Sequence, residues 1–167
     1  MDAEHELTAF VREVVIPGGP DAVPRIEPRH CRFRLAADLS PIHRWGIFAD
    51  EPIPARRRVI EYTGARIDRD EVARRSVRTH LYIFWFGQQG ALDGAIGGSG
   101  AEFINHCCDP NLYARVARGH IHLVSRRRIE AGEELTLDYR IVGGAPLRCR
   151  CGSPLCRGYM NKPWQPS

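Results

Sequence analysis

The chain has 167 residues, 43% of them apolar, and a formal net charge of +4. That length carries one domain with a proper core and a small appendage, and it excludes two full domains. No apolar run approaches the roughly eighteen residues of a membrane span, and the acidic start Met1-Asp2-Ala3-Glu4-His5-Glu6 lacks the apolar segment of a secretory signal.

An intracellular, reducing setting is therefore expected, in which clustered thiols bind metal rather than form disulfides. Lys162 is the only lysine among many Arg, Ala, Gly and Pro residues. This composition points to a GC-rich, bacterial source, with cytoplasm or nucleoid as the compartment; for a eukaryotic source it would be the nucleus.

Leu7, Phe10, Val11 and Val14 recur at helical spacing, so residues 4–15 are predicted to form a short amphipathic helix. Pro17-Gly18-Gly19-Pro20 ends it and opens a Pro-rich lead-in. From Cys31 onward the pattern changes to short strands, predicted at 31–36, 45–49, 57–62 and 81–86. Asp68 and Glu71 have the spacing of a capping box for a helix over 69–79. Gly94 to Gly100 holds four glycines and one serine, which predicts no regular element. Segments 112–117 and 120–125 flank Arg118-Gly119 as a tight hairpin, and the turn Glu130-Ala131-Gly132-Glu133 leads into a strand at 134–138. Many short strands with little helix exclude a doubly wound sheet and a helical bundle. Arg56-Arg57-Arg58 and Arg126-Arg127-Arg128 read first as solvated strand ends beside turns. Contact with phosphates or acidic protein tails is their second reading.

Three thiols close together at the end of the chain, Cys149-x-Cys151-x4-Cys156-x-Gly158, lack a fourth ligand for tetrahedral zinc. Cys107-Cys108, beside Asn105-His106, offers one; His120 or His122 would be the alternative. A closed set of four is structural, so Cys31 and Cys107 are expected to be buried thiols rather than nucleophiles.

Six motifs follow one another in order: Trp45-Gly46-Ile47-Phe48-Ala49, Glu61-Tyr62-Thr63-Gly64, Tyr82-Ile83-Phe84, Phe103-Ile104-Asn105-His106-Cys107-Cys108-Asp109-Pro110-Asn111, Gly132-Glu133-Glu134-Leu135-Thr136-Leu137-Asp138-Tyr139 and the terminal Cys motif. Together they resemble a SET domain with its post-SET zinc segment, the family of protein lysine methyltransferases, over roughly residues 31–160. The resemblance implies a mainly β fold, the SET-domain β-clip. In it several small curved sheets surround a C-terminal pseudo-knot, with few short helices. It divides the chain into a lead-in at 1–30, the SET domain at 31–143 and the post-SET segment at 144–167.

Carried over position by position, the resemblance implies S-adenosylmethionine held by Arg44, Trp45, Gly46, Tyr82, Glu102, Phe103, Asn105, His106 and a lid residue, Tyr159. It places Tyr139 at the reaction centre and Tyr62 at the lysine end of a channel shared with Leu137 and Tyr113. One structural zinc is held by Cys108, Cys149, Cys151 and Cys156. The implied partner is a lysine-bearing protein, with histone or histone-like tails the family's common class. Nucleic acid is weakly supported, and no membrane is expected.

Three positions depart from the family pattern. Arg44 replaces a turn glycine, Glu102 stands where Arg is frequent, and Leu137 stands where many members carry Phe or Tyr. Without a hydroxyl to restrain the amine, Leu137 implies multiple methylation unless Tyr113 or another aromatic fills the space. The same departures support a competing function, a catalytically degenerate SET fold that binds protein or nucleic acid.

Overall fold

The computed structural model describes residues 21–76, 82–86, 90–141 and 144–162; the helix expected over 4–15 and the boundary at 143 lie outside them. Among the described residues ten short strands are paired within small sheets. β1 (Leu35–Leu39) and β2 (Trp45–Ala49) form an antiparallel hairpin, with Leu39 opposite Trp45. β3 (Arg58–Tyr62), β9 (His120–Ser125) and β8 (Leu112–Ala117) make a three-stranded antiparallel sheet with β9 in the middle. A second antiparallel trio is β4 (Ala65–Ile67), β6 (Ala91–Asp93) and β5 (Ile83–Trp85). Finally, β7 (Asn105–His106) pairs in parallel with β10 (Thr136–Leu137).

Alternation explains the main sheet. Ile121 and Leu123 of β9 and Leu112 of β8 are fully buried, while Arg115 and His120 face out. The buried set continues through Ile47, Ile53, Val59, Ile60, Ile129 and Leu135, all without accessible surface. Each such aliphatic contributes about 1.5–3 kcal/mol over its exposed state, so this one cluster holds the small sheets together.

β2, β8 and β9 have the predicted bounds, and the hairpin turn uses Arg118 at φ +52° and Gly119 at +77°. The strand expected over 31–36 lies instead at Leu35–Leu39, because it pairs with β2; Cys31 makes only an isolated bridge to Ile60. The run 134–138 divides its bonds. Glu134 bridges Phe48, whereas Thr136 and Leu137 pair with β7. β4 and β6 lie where no strand is expected, at three residues each.

The helix α1 (Arg69–Arg75) starts as predicted, with the Asp68 carboxylate accepting from the Glu71 N–H at 2.8 Å. Glu71 turns to Arg74 and Arg75 instead of closing a reciprocal box. The helix ends at Ser76, and the expected positions 77–79 lie outside the described residues. The stretch 94–100 is irregular yet pinned: Gly94 N–H donates to Tyr82 O at 2.7 Å and Ser99 Oγ to Glu61 O at 2.6 Å. Among the described residues no helix is long and apolar enough to cross a membrane.

Candidate active site and cysteine cluster

Parallel pairing of β7 with β10 sets Asn105 beside Thr136 and His106 beside Leu137. Two segments about thirty residues apart in the chain thus share one ladder, reinforced by the Cys107 N–H donating to Leu137 O at 3.0 Å. Asn111 adds a side-chain clamp, giving Nδ2–H to Glu134 O at 2.8 Å and accepting from Thr136 N–H at 2.9 Å.

The Asn105 amide is held hard. Its Nδ2 donates to Trp45 O at 3.0 Å and to Glu134 Oε1 at 2.8 Å, with His43 O at 3.4 Å. Glu134 also accepts from Ser40 Oγ at 2.8 and 2.9 Å. Glu134 thereby ties the 40–46 loop to β7. Gly46 belongs to the same contact, because a Cβ there would lie 2.4 Å from Glu134 Oε1. With Nδ2 engaged, the acceptor Oδ1 of Asn105 carries no hydrogen bond among the described residues. It is the group left for an ammonium donor.

Tyr139 is 42% exposed overall, but its phenol reaches inward and donates to Ile104 O at 2.8 Å. Burial first, then Tyr82 and Glu134, pushes that hydroxyl far above the ordinary phenol range. Its ring meets His106 edge-on at 5.3 Å. Tyr62 is 6% exposed, donates to Tyr82 O at 2.6 Å and packs against Phe84 at 5.2 Å. Burial, followed by Glu102, likewise raises it well above the ordinary value. Tyr82 packs on Phe103 at 5.7 Å. Neither phenol is a base at neutral pH. Glu102 accepts from Gly100 N–H at 2.9 Å, and desolvation raises its carboxyl to about 7. It touches the same corner as Tyr62, since a Cβ on Gly94 would come within 2.8 Å of both Tyr62 Oη and Glu102 Cβ.

His106 connects the two halves of the site. Tyr139 N–H donates to Nδ1 at 3.2 Å, which assigns the proton to Nε2, and Nε2 lies 3.5 Å from Cys108 Sγ. Burial holds the imidazole below its usual pKa. Beside it, Asp138 binds Arg157 at 2.8 and 3.2 Å and Lys162 at 3.2 Å. Burial opposes ionisation of Asp138, but Arg157 and the other donors prevail and hold it at about 2.

Arg157 and Lys162 therefore anchor the terminal segment whose cysteines meet Cys108. The sulfurs of Cys108, Cys149, Cys151 and Cys156 all lie within 4.8 Å of one another, with Cys108 3.7 Å from Cys149 and 4.0 Å from Cys156. A tetrahedral ion with 2.3 Å bonds separates sulfurs by about 3.8 Å, so this donor set fits zinc. Burial pushes Cys151 up, but N–H donors from Cys108 and Ser153 and the neighbouring thiols bring it down to about 6. His120 and His122 lie elsewhere, against Glu61 and Arg58. Cys107 donates to Asp109 O at 3.3 Å and lies beside Cys151 outside the set of four, and burial raises its thiol to about 11.

The structure thus brings Arg44, Trp45, Gly46, Asn105, His106, Leu137 and Tyr139 into contiguous elements, and groups Tyr62, Tyr82, Glu102 and Phe103 nearby. Tyr159 is 44% exposed, its backbone carbonyl 4.0 Å from Cys108 Sγ. Tyr113 is exposed on β8 opposite Val124, whereas its neighbour Leu112 enters the core. Glu134, Ser40, Asn111, Asp138 and Arg157 were not singled out from sequence. The half-buried Glu134 carboxylate finds its donors in Ser40 and Asn105, and nothing in the local pattern names such distant partners.

Residues 44–140 match the SET domain family. The chain is 39% identical over 137 residues to "Histone-lysine N-methyltransferase, H3 lysine-4 specific" of Candida albicans, covering 73% of this chain and 13% of that protein. It is 36% identical over 154 residues to "Histone-lysine N-methyltransferase set1" of Dictyostelium discoideum, covering 86% and 10%. Against "Histone-lysine N-methyltransferase SETD1A" of Homo sapiens it is 38% identical over 139 residues, covering 77% and 8%. The chain spans only about a tenth of the length of these relatives.

Proposed function

This chain belongs to the SET-domain family, and on that premise we propose that it transfers methyl groups from S-adenosylmethionine to the ε-amine of a protein lysine. The observation that carries the reading is the β7–β10 ladder, which sets Asn105-His106 against the Leu137–Tyr139 run. The names of the relatives support a histone H3 tail as the substrate class.

The bound cofactor supplies an electrophilic methyl on a cationic sulfur. Asn105 Oδ1 would accept from its ammonium, and the 40–46 loop, fixed by Glu134, would help to hold it. The methyl would pass to a neutral lysine amine with the C–S bond as the bond broken and the thioether as leaving group, and the spare proton would leave to water. Deprotonating a lysine of pKa about 10.4 at pH 7 costs roughly 4–5 kcal/mol. An apolar channel and a neighbouring sulfonium lower that cost. With Tyr62 and Tyr139 held protonated, their hydroxyls orient rather than abstract, and alignment supplies much of the remaining acceleration.

The test is incubation with labelled S-adenosylmethionine and an H3 N-terminal peptide, beside Tyr139→Phe. Label should enter the lysine and fall at least about tenfold in the variant, on the scale of one lost orienting group. Cofactor binding without transfer to any histone or lysine-rich peptide would leave the degenerate binding fold standing instead.

A further inference from the structure

Pairing of β3 with β9 brings both arginine triplets to one corner of the molecule. Arg56 N–H donates to Ser125 O at 2.8 Å, Ser125 N–H donates to Arg57 O at 2.9 Å, and Arg58 stands opposite Val124. Arg32 joins them through its N–H to Val59 O at 2.8 Å. Arg115 lies opposite His122, whose Nε2 is 3.4 Å from Arg58 Nη1. Arg32, Arg56, Arg57, Arg58, Arg115 and Arg126 are all exposed.

Several carboxylates beside this corner already have partners. Glu61 binds His120 and His30, Glu133 binds Arg127, Glu130 binds Arg128, and Asp50 and Glu51 bind Arg34. None of the six exposed arginines has a carboxylate partner among the described residues. The modest net charge conceals this excess of unpaired guanidinium groups.

We infer that this arginine-bearing corner of the β3–β9–β8 sheet is a binding surface for the phosphate backbone of a nucleic-acid duplex. Guanidinium forks match phosphate oxygens two at a time, and a duplex offers a negative charge about every 1.7 Å. Strands lie about 4.8 Å apart and rise about 3.4 Å per residue, so the backbones of Arg58 and Arg115, on flanking strands and two residues apart in register, sit roughly 12 Å apart. That spread suits a rigid, uniformly charged rod. A lysine-rich tail would be repelled here, so the surface is separate from any lysine channel. Among the described residues no helix presents side chains to a groove from this face, and contacts to the phosphate backbone carry no base-sequence information.

The experiment is fluorescence anisotropy with a labelled mixed-sequence DNA duplex and no cofactor, titrated from about 50 to 200 mM salt. Binding should weaken steeply with salt. Replacing Arg56, Arg58 and Arg126 together by Ala should flatten the log–log slope by about 2–3, at roughly 0.9 per lost phosphate contact. The single variants Arg56→Ala and Arg126→Ala should each flatten it by about 0.9. Arg127→Ala with Arg128→Ala, whose side chains are already paired, should leave the slope unchanged. Circular dichroism checks that each variant folds. Absence of duplex binding, a slope indifferent to the single variants, or tighter binding to polyglutamate than to the duplex would each overturn the assignment. None of these readouts depends on methyl transfer.

Discussion

Arg44 adopts φ +46°, so the turn beneath the proposed cofactor site keeps its left-handed backbone without glycine, at a cost on the order of 1 kcal/mol. Its carbonyl closes the loop by accepting from Ser40 N–H at 2.8 Å, and that bond supports the strained residue. Glu102 has a consequence for pH. Its carboxyl is raised to about 7 in the folded chain from an ordinary 4.5, because burial disfavours its charge. The folded state then binds more protons than the unfolded chain between those values, so stability is fullest below about 4.5 and falls as pH rises through 7, by at most about 1.4 kcal/mol per unit. Thermal midpoints across pH 5–8 should show this fall, and Glu102→Gln should remove it. Leu137 is buried and paired with His106. Leu137→Tyr should shift the product toward monomethyl-lysine, read by mass spectrometry under saturating cofactor.

At the scale of elements, strands with alternating or β-branched runs and a strong turn signal were legible. β8 and β9 alternate around Arg118-Gly119, and both ends agree with the sequence reading. β4 and β6 were not legible, because three residues are too few to show a period and their pairing depends on each other. β10 was placed but overextended, since extended backbone continues where its hydrogen-bond partner changes from β2 to β7. The contact that positions the candidate site is also between elements: Glu134 holds Ser40 and Asn105 and leaves no room at Gly46. Gly46→Ala should displace the Glu134 carboxylate and weaken S-adenosylmethionine binding about tenfold or more, measured by calorimetry, with kcat at saturating cofactor less affected. An equal loss in both would mean that Glu134 acts on the chemistry itself.

Over the whole molecule, the terminal segment is held by two devices, the Asp138–Arg157–Lys162 ion pairs and the thiol cluster. Four close thiols without apolar packing stabilise little by themselves. In folds of this kind a bound ion supplies folding energy directly. Metal analysis should find a single zinc per chain. Chelation should make residues 144–162 sensitive to limited proteolysis while the core stays protected, and Cys108→Ser should reproduce that pattern. Zinc retained in the variant would remove Cys108 from the ligand set.

The residues and their order determined much of this protein. Short alternating runs set the mainly β character, and the ordered motifs with three terminal thiols marked the family and the parts of a site, because such signals are local and survive in one dimension. The choice between Cys108 and a histidine as fourth ligand, the carboxylate of Glu134 behind Asn105 and the convergence of both arginine triplets were decided only in three dimensions. Each depends on contacts between segments far apart in the chain, where no period or spacing reaches, and on burial, which sets what every polar group must find as a partner.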